Sequence, residues 1–183
     1  RDGTVWQWGR MFEPYDYYAV PTPFLVDGIS DVVDATGYVL QYTSTYLVAK
    51  SDGTVWGWRA NSWGALGDGT EIRRYSPVQA TGLTGIVAVR AGSLAAIALK
   101  SDGTVWTWGD DSEGQLGNGP TSGRSLVPIQ VPGIEGVIDI GTAYFSRYAL
   151  MSNGELWAWG KLDYGTTLGD GVTVSSEVPI QIP

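Results

Sequence analysis

The sequence predicts an all-β protein, a β-propeller segment built from four-stranded blades with about 3.5 to 4 blades present, a partial ring or part of a larger one. One phrase recurs four times, as "RDGTVWQWG" from Arg1, "SDGTVWGWR" from Ser51, "SDGTVWTWG" from Ser101 and "SNGELWAWG" from Ser152. Its second residue falls at Asp2, Asp52, Asp102 and Asn153, a period of 50, 50 and 51 residues. Fixed spacing of this size marks a repeat architecture in which each unit buries its apolar face against its neighbours. Between the phrases no helical period appears, and short strand-like runs alternate with Gly-rich turns.

Counted from the phrase, one repeat domain divides into residues 2–51, 52–101, 102–152 and 153–183, the last incomplete. Pro77 to Gln79 reads as a short edge strand, where a proline that cannot donate is tolerated. Ile86 to Val89 is a β-branched, alternating strand. Ala96 to Lys100 enters a hairpin and Thr104 to Trp108 leaves it, with Asp102-Gly103 between them because both residues tolerate the positive φ of a tight turn. That makes about four short strands per repeat.

Side chains alternate across a strand, so the two Trp of each phrase share one face. The pairs are Trp6 and Trp8, Trp56 and Trp58, Trp106 and Trp108, and Trp157 and Trp159, and all eight are assigned to the core. The residue between them is Gln7, Gly57, Thr107 or Ala158. One bulky face and one slimmer face suit stacking, with the Trp face of one blade on the slim face of the next.

Composition narrows the chemistry. The 183 residues hold no Cys and no His, which excludes disulfides, thiolate zinc, histidine ligands and any histidine base or triad. A net charge of −8 leaves only Arg73 and Arg74 adjacent, so a phosphate backbone is not an expected ligand. No apolar run approaches the roughly 18 to 20 residues of a membrane span. No cofactor or metal is expected. Starting at Arg1, the chain reads as a processed or excised piece.

The stretches "DGTVWTWGDDSEGQLGNG", "VPIQVPGIEGV" and "YALMSNGELWAWG" resemble the regulator of chromosome condensation repeat, most strongly in repeats two and three. The resemblance implies a propeller, commonly seven-bladed. The His that this family usually carries before the hairpin-entering strand is replaced by Thr45, Ala95 and Ser146, so the nucleotide-exchange and chromatin functions of the eukaryotic namesake do not carry over. The acidic, Cys-free composition is closer to secreted bacterial members, among them a β-lactamase inhibitor, and implies an extracellular or cell-surface protein.

The first repeat departs from the pattern. Its stretch "RMFEPYDYYAVPTPF" is shortened and lacks the Gly-Gln-Leu-Gly turn, and "TGYVLQYTSTYLVAK" is lengthened. Read as connecting loops, the two hold Phe12, Tyr15, Tyr17, Tyr18, Tyr38, Tyr42 and Tyr46, with Trp63 and Tyr164 in corresponding turns of later repeats. Loop aromatics on a rigid scaffold are common contact residues; the competing reading is that they pad loops or pack on a neighbouring blade. The acidic "GDDSEG" at Gly109 to Gly114 and the "GDG" turns fit no calcium loop and read as solvated turns. No carboxylate pair lies in a motif that predicts convergence, so the chain is not expected to be an enzyme.

Open blade faces carrying Trp pairs would need cover, by more chain or by self-association. The expected function is a non-enzymatic module binding a protein through first-repeat loops. A self-assembling scaffold is the alternative, and a carbohydrate-binding module ranks third.

Overall fold

The computed structural model describes residues 2–13, 16–40, 43–120, 123–161 and 175–183. They form fourteen strands: β1 (Trp6–Glu13), β2 (Asp16–Leu25), β3 (Val32–Leu40), β4 (Thr43–Lys50), β5 (Val55–Arg59), β6 (Arg74–Gln79), β7 (Ile86–Ala91), β8 (Ala95–Lys100), β9 (Val105–Asp110), β10 (Arg124–Gln130), β11 (Val137–Thr142), β12 (Phe145–Met151), β13 (Leu156–Lys161) and β14 (Ser175–Ile182). Each pairs antiparallel with its sequence neighbour, giving a two-stranded sheet β1-β2 and the four-stranded meanders β3 to β6, β7 to β10 and β11 to β14. These are three complete blades and one half, the expected class. Counting repeats from the Asp cuts each complete sheet between its second and third strands.

Neighbouring sheets are tied through their first strands. Asp34 on β3 accepts from the Val89 amide at 2.9 Å and pairs with Arg90 at 2.5 Å. Thr142 on β11 donates to the Ala91 carbonyl at 3.3 Å. The last strand of each sheet is an edge, and every one carries proline: Pro21 and Pro23 in β2, Pro77, Pro128 and Pro179. Proline there removes donors that would recruit another strand.

The repeated phrase works differently from its sequence reading. Lys50 and Thr54 close the hairpin with Gly53 at φ +79, while Asp52 keeps a negative φ. It is a three-residue turn ending in a left-handed glycine, so only the glycine needs positive φ. Asp52 instead accepts from the Thr54 amide at 3.0 Å and hydroxyl at 2.6 Å, and that hydroxyl accepts from Trp56 Nε1 at 3.0 Å. The same relay runs Asp102, Thr104, Trp106 and Asp2, Thr4, Trp6.

The two Trp of a phrase therefore differ. Trp56, Trp106 and Trp157 are anchored at the hairpin and half-buried, whereas Trp58, Trp108 and Trp159 are buried. Each buried indole enters the preceding sheet, not the following one. Trp108 packs with Leu47, Ala49 and Leu66 and donates to the Ala65 carbonyl at 2.9 Å. The slim face is covered by the blade's own Leu66 or Leu116 turn, with Thr107 donating to the Leu116 carbonyl at 2.7 Å. Trp6 and Trp8 are a correction to the assigned core: they are 53% and 62% exposed. They lie on the first of the described sheets, and no other described sheet covers their face.

Candidate interaction face

A meander sends alternate turns to opposite ends of a sheet. The Asp-Gly hairpins and the β2–β3, β6–β7 and β10–β11 connections share one end. The β1–β2 hairpin, the β3–β4, β7–β8 and β11–β12 turns and the β5–β6, β9–β10 and β13–β14 connections share the other. The six candidate aromatics among the described residues, Phe12, Tyr17, Tyr18, Tyr38, Tyr46 and Trp63, belong to elements meeting at that second end, although they come from two repeats.

Their local settings correct the loop reading. Phe12 lies in β1, and Tyr17 and Tyr18 in β2, in the register Phe12↔Tyr17 and Met11↔Tyr18. The shortened stretch is thus a direct hairpin. Tyr38 is on β3 and Tyr46 on β4; the added residues lengthen paired strands. Tyr46 stacks on Trp58, its cross-strand partner in the same sheet, with centroids 5.7 Å apart. Tyr38 packs on the core between the second and third sheets and meets Tyr144 edge-on at 6.4 Å. Tyr15, Tyr42 and Tyr164 lie outside the described residues.

Trp63 remains an exposed turn aromatic. It is 39% exposed at φ +67, a backbone region a bulky residue rarely adopts. Buried Asn61 sets this turn, accepting from the Leu66 amide at 2.8 Å and donating to Asp68 and the Thr70 carbonyl at 2.9 Å each. Burial pushes the Asp68 pKa up, but hydrogen bonds from Thr70, Arg74 and Asn61 outweigh it and hold the carboxyl below its ordinary range. Arg124 of the next blade lies 5.5 Å from the Trp63 ring and pairs with Glu71 at 3.4 Å. Glu113, at the matching place one blade on, instead pairs with Lys161 at 2.9 Å. Arg124 carried no sequence signal, because its partner is 61 residues away.

The acidic turn has structural work. Asp110 accepts from Ser112 and from Gln115 Nε2 at 2.8 Å, and buried Asp111 accepts from the Leu116 amide at 3.1 Å. At the opposite end, Thr4 and Thr54 hold the exposed Asp2 and Asp52 carboxyls below their usual range. Lys100, then Thr104, hold Asp102 at about 2.

Stacked four-stranded meanders locked by interblade indoles define a propeller segment of the repeat-protein class. The family model of the Regulator of chromosome condensation (RCC1) repeat matches residues 52–99 and 102–145, and a second model of that repeat matches 86–115. The chain belongs to this family. It is 36% identical over 137 residues to the E3 ubiquitin-protein ligase HERC2 of Homo sapiens, covering 73% of this chain and 3% of the ligase. Among solved structures, human WBSCR16 superposes with a TM-score of 0.81 at 23% identity, covering 100% of this chain and 49% of that one. Prp20p from Saccharomyces cerevisiae, whose structure is described with its binding to Gsp1p and histones, gives 0.77 at 18% identity, covering 98% and 47%. The chain spans about half the length of these solved relatives and a small part of the ligase.

Proposed function

We propose that this chain is a non-enzymatic interaction segment that binds a protein partner through the end of its sheets carrying the β1–β2 hairpin, the β3–β4 turn and Trp63. The supporting observation is Trp63: a strained, exposed indole in a turn fixed by Asn61 and flanked by Arg124. Aromatics on rigid elements give large contact area at small entropic cost. Interblade bonds brace both ends of the sheets, Ile86 N to the Gly53 carbonyl at 3.0 Å at one and Gly69 N to the Leu126 carbonyl at 3.0 Å at the other, so the turn that carries Trp63 is held rigidly. Protein binding by Prp20p supports the same class of partner. The test immobilises the full chain and compares captured proteins with those on Trp63→Ala and Tyr17→Ala/Tyr18→Ala. A partner lost from either variant at unchanged Tm, and kept by Asp102→Asn, fits the reading; a partner kept by both opposes it.

A second reading rests on the exposed Trp6 and Trp8, whose counterparts are half-buried or buried in the later sheets. Copies of the chain would stack blade face on blade face as a scaffold. Light scattering on wild type and Trp8→Ser decides this, since a concentration-independent monomer mass removes it.

A further inference from the structure

Arg147 stands on β12 opposite Trp159, the place that Ala96 holds opposite Trp108 and Tyr46 opposite Trp58. The blade therefore accepts a methyl group or a neutral ring there and does not require a cation. Arg147 is nevertheless 0% exposed. Its Nη1 donates to the Ser146 carbonyl at 3.0 Å and to the Ala143 carbonyl at 3.4 Å. Its Nε and Nη2 have no hydrogen-bond partner among the described residues, and neither has the buried Ser93 Oγ. Nε and Nη2 form one edge of the guanidinium, with two parallel N–H groups spaced for the oxygens of a carboxylate.

The setting of this edge is specific. The guanidinium lies against Gly92, where a Cβ would come within 2.9 Å of Nη1 and 3.0 Å of Nη2, so the glycine leaves it room in this position. Ser93 is the next residue, and its amide donates to the Tyr144 carbonyl at 3.2 Å. Burial draws the Arg147 pKa down to about 10 against the opposing influence of Asp110 and Tyr38, so the group is a cation at neutral pH. The Asp110 carboxylate is itself engaged by Ser112 and Gln115. A buried cation with two unmatched donors is costly, and nothing in the packing of the other blades calls for one here. The surface is one hydrogen bond away, since Ala143 is exposed and Tyr144 is 36% exposed, with its ring 4.4 Å from Phe145 and 6.4 Å from Tyr38.

We propose that the Nε/Nη2 edge of Arg147, assisted by the unpartnered Ser93 Oγ on the residue after Gly92, receives the carboxylate of an acidic side chain from a protein partner, admitted by displacement of the Ala143-Tyr144 turn. The β11–β12 turn lies at the same end of the sheets as Trp63, so the inference rests on the protein-binding reading and names the chemistry of its anchor. A carboxylate fits better than a phosphate because the open edge offers two coplanar donors and one hydroxyl, without a second cation.

The full chain is melted at constant ionic strength with capped glutamate, capped glutamine or inorganic phosphate. The wild-type Tm is expected to rise by about 3 °C at tenfold excess over Kd with capped glutamate and to stay fixed with capped glutamine. Arg147→Met should melt at or above the wild type without additive and show no rise. Arg147→Lys, which keeps charge without the fork, should also show none, and Ser93→Ala should weaken the response several-fold. Trp63→Ala should respond as wild type does, which separates this anchor from the Trp63 contact. An equal rise with phosphate, a rise that survives in Arg147→Met, or no carboxylate response in the wild type would overturn the proposal.

Discussion

The indole Nε1 of Trp159 donates to the backbone carbonyl of Gln115 at 3.1 Å, joining residues 44 apart on adjacent sheets. Trp108 and the Ala65 carbonyl repeat the bond one blade earlier. In the first pair of sheets the carbonyl is missing, because β1 and β2 join directly without the Gly-Gln-Leu-Gly turn. There the side-chain amide of Gln7 accepts from Trp58 Nε1 at 3.3 Å. Each blade is thus fastened by a polar contact inside an apolar core, and the irregular first repeat keeps the contact by changing its donor of oxygen.

Trp108→Ala is expected to lower stability by about 3 to 5 kcal/mol through cavity formation, whereas Trp8→Ala, exposed, should stay within about 0.5 kcal/mol. Urea midpoints measure both. The sequence assigns Trp106 to the core and Asp110 to a solvated turn, which makes Trp106 the more important of the two. The structure narrows that gap, since Trp106 is half-buried and Asp110 is a buried acceptor for Ser112 and Gln115. Equal midpoints for Trp108→Ala and Trp8→Ala would contradict the assignment of the second indole to the core.

Gly117→Ala should cost clearly more than Gly82→Ala. Both glycines have positive φ, +67 and +75, so both substitutions carry the roughly 1 to 2 kcal/mol of a left-handed alanine. At Gly82 a Cβ meets nothing within 4 Å, but at Gly117 it would lie 2.6 Å from Trp159 Nε1. The clash falls on a buried indole that cannot move without breaking its bond to Gln115. Denaturant midpoints that coincide for the two variants would show that the turn yields freely.

What was legible in the sequence was local. Asp-Gly-Thr with alternating apolar residues marks the hairpins, and Pro77 marks an edge strand, because the physics of each is confined to a few neighbouring residues. The two Trp of a phrase looked alike because what separates them is a carbonyl more than forty residues away. Tyr38 and Tyr46 read as loop residues because an insertion most simply lengthens a connection, yet a hairpin absorbs extra residues equally well by extending both strands in register. Arg124 and Arg147 carry no motif at all; only the stacking of blades gives them surroundings.

Acid should weaken the fold through the hairpin carboxylates. Asp102 is held at about 2 by Lys100 and Thr104, below its ordinary value of 3.8. A group with a depressed folded-state pKa contributes stability that is fully present above its unfolded value and disappears as pH falls through the folded value. The loss therefore belongs between about pH 4 and pH 2. With no histidine in the chain, no ordinary side-chain titration falls between about pH 5 and 8. Melting wild type and Asp102→Asn from pH 7 to pH 2 should give parallel plateaus above pH 5 and a shallower acid decline in the variant; identical declines would remove Asp102 from the account.

Gln7 provides the most discriminating test of how blades are fastened. In Gln7→Ala the buried Trp58 Nε1–H loses its acceptor, and an unsatisfied buried donor costs about 1 to 3 kcal/mol. Trp58→Phe removes the donor and some volume. If the two groups act through their mutual bond, the double variant is less destabilised than the sum of the singles, with a coupling of about 0.5 to 1.5 kcal/mol. The aromatic stack of Tyr46 on Trp58 survives in Trp58→Phe, so it contributes little to that coupling. A coupling below about 0.3 kcal/mol, within the scatter of independent sites, would mean that Gln7 merely fills space beside Trp58 and that the first pair of sheets is held by apolar contact alone.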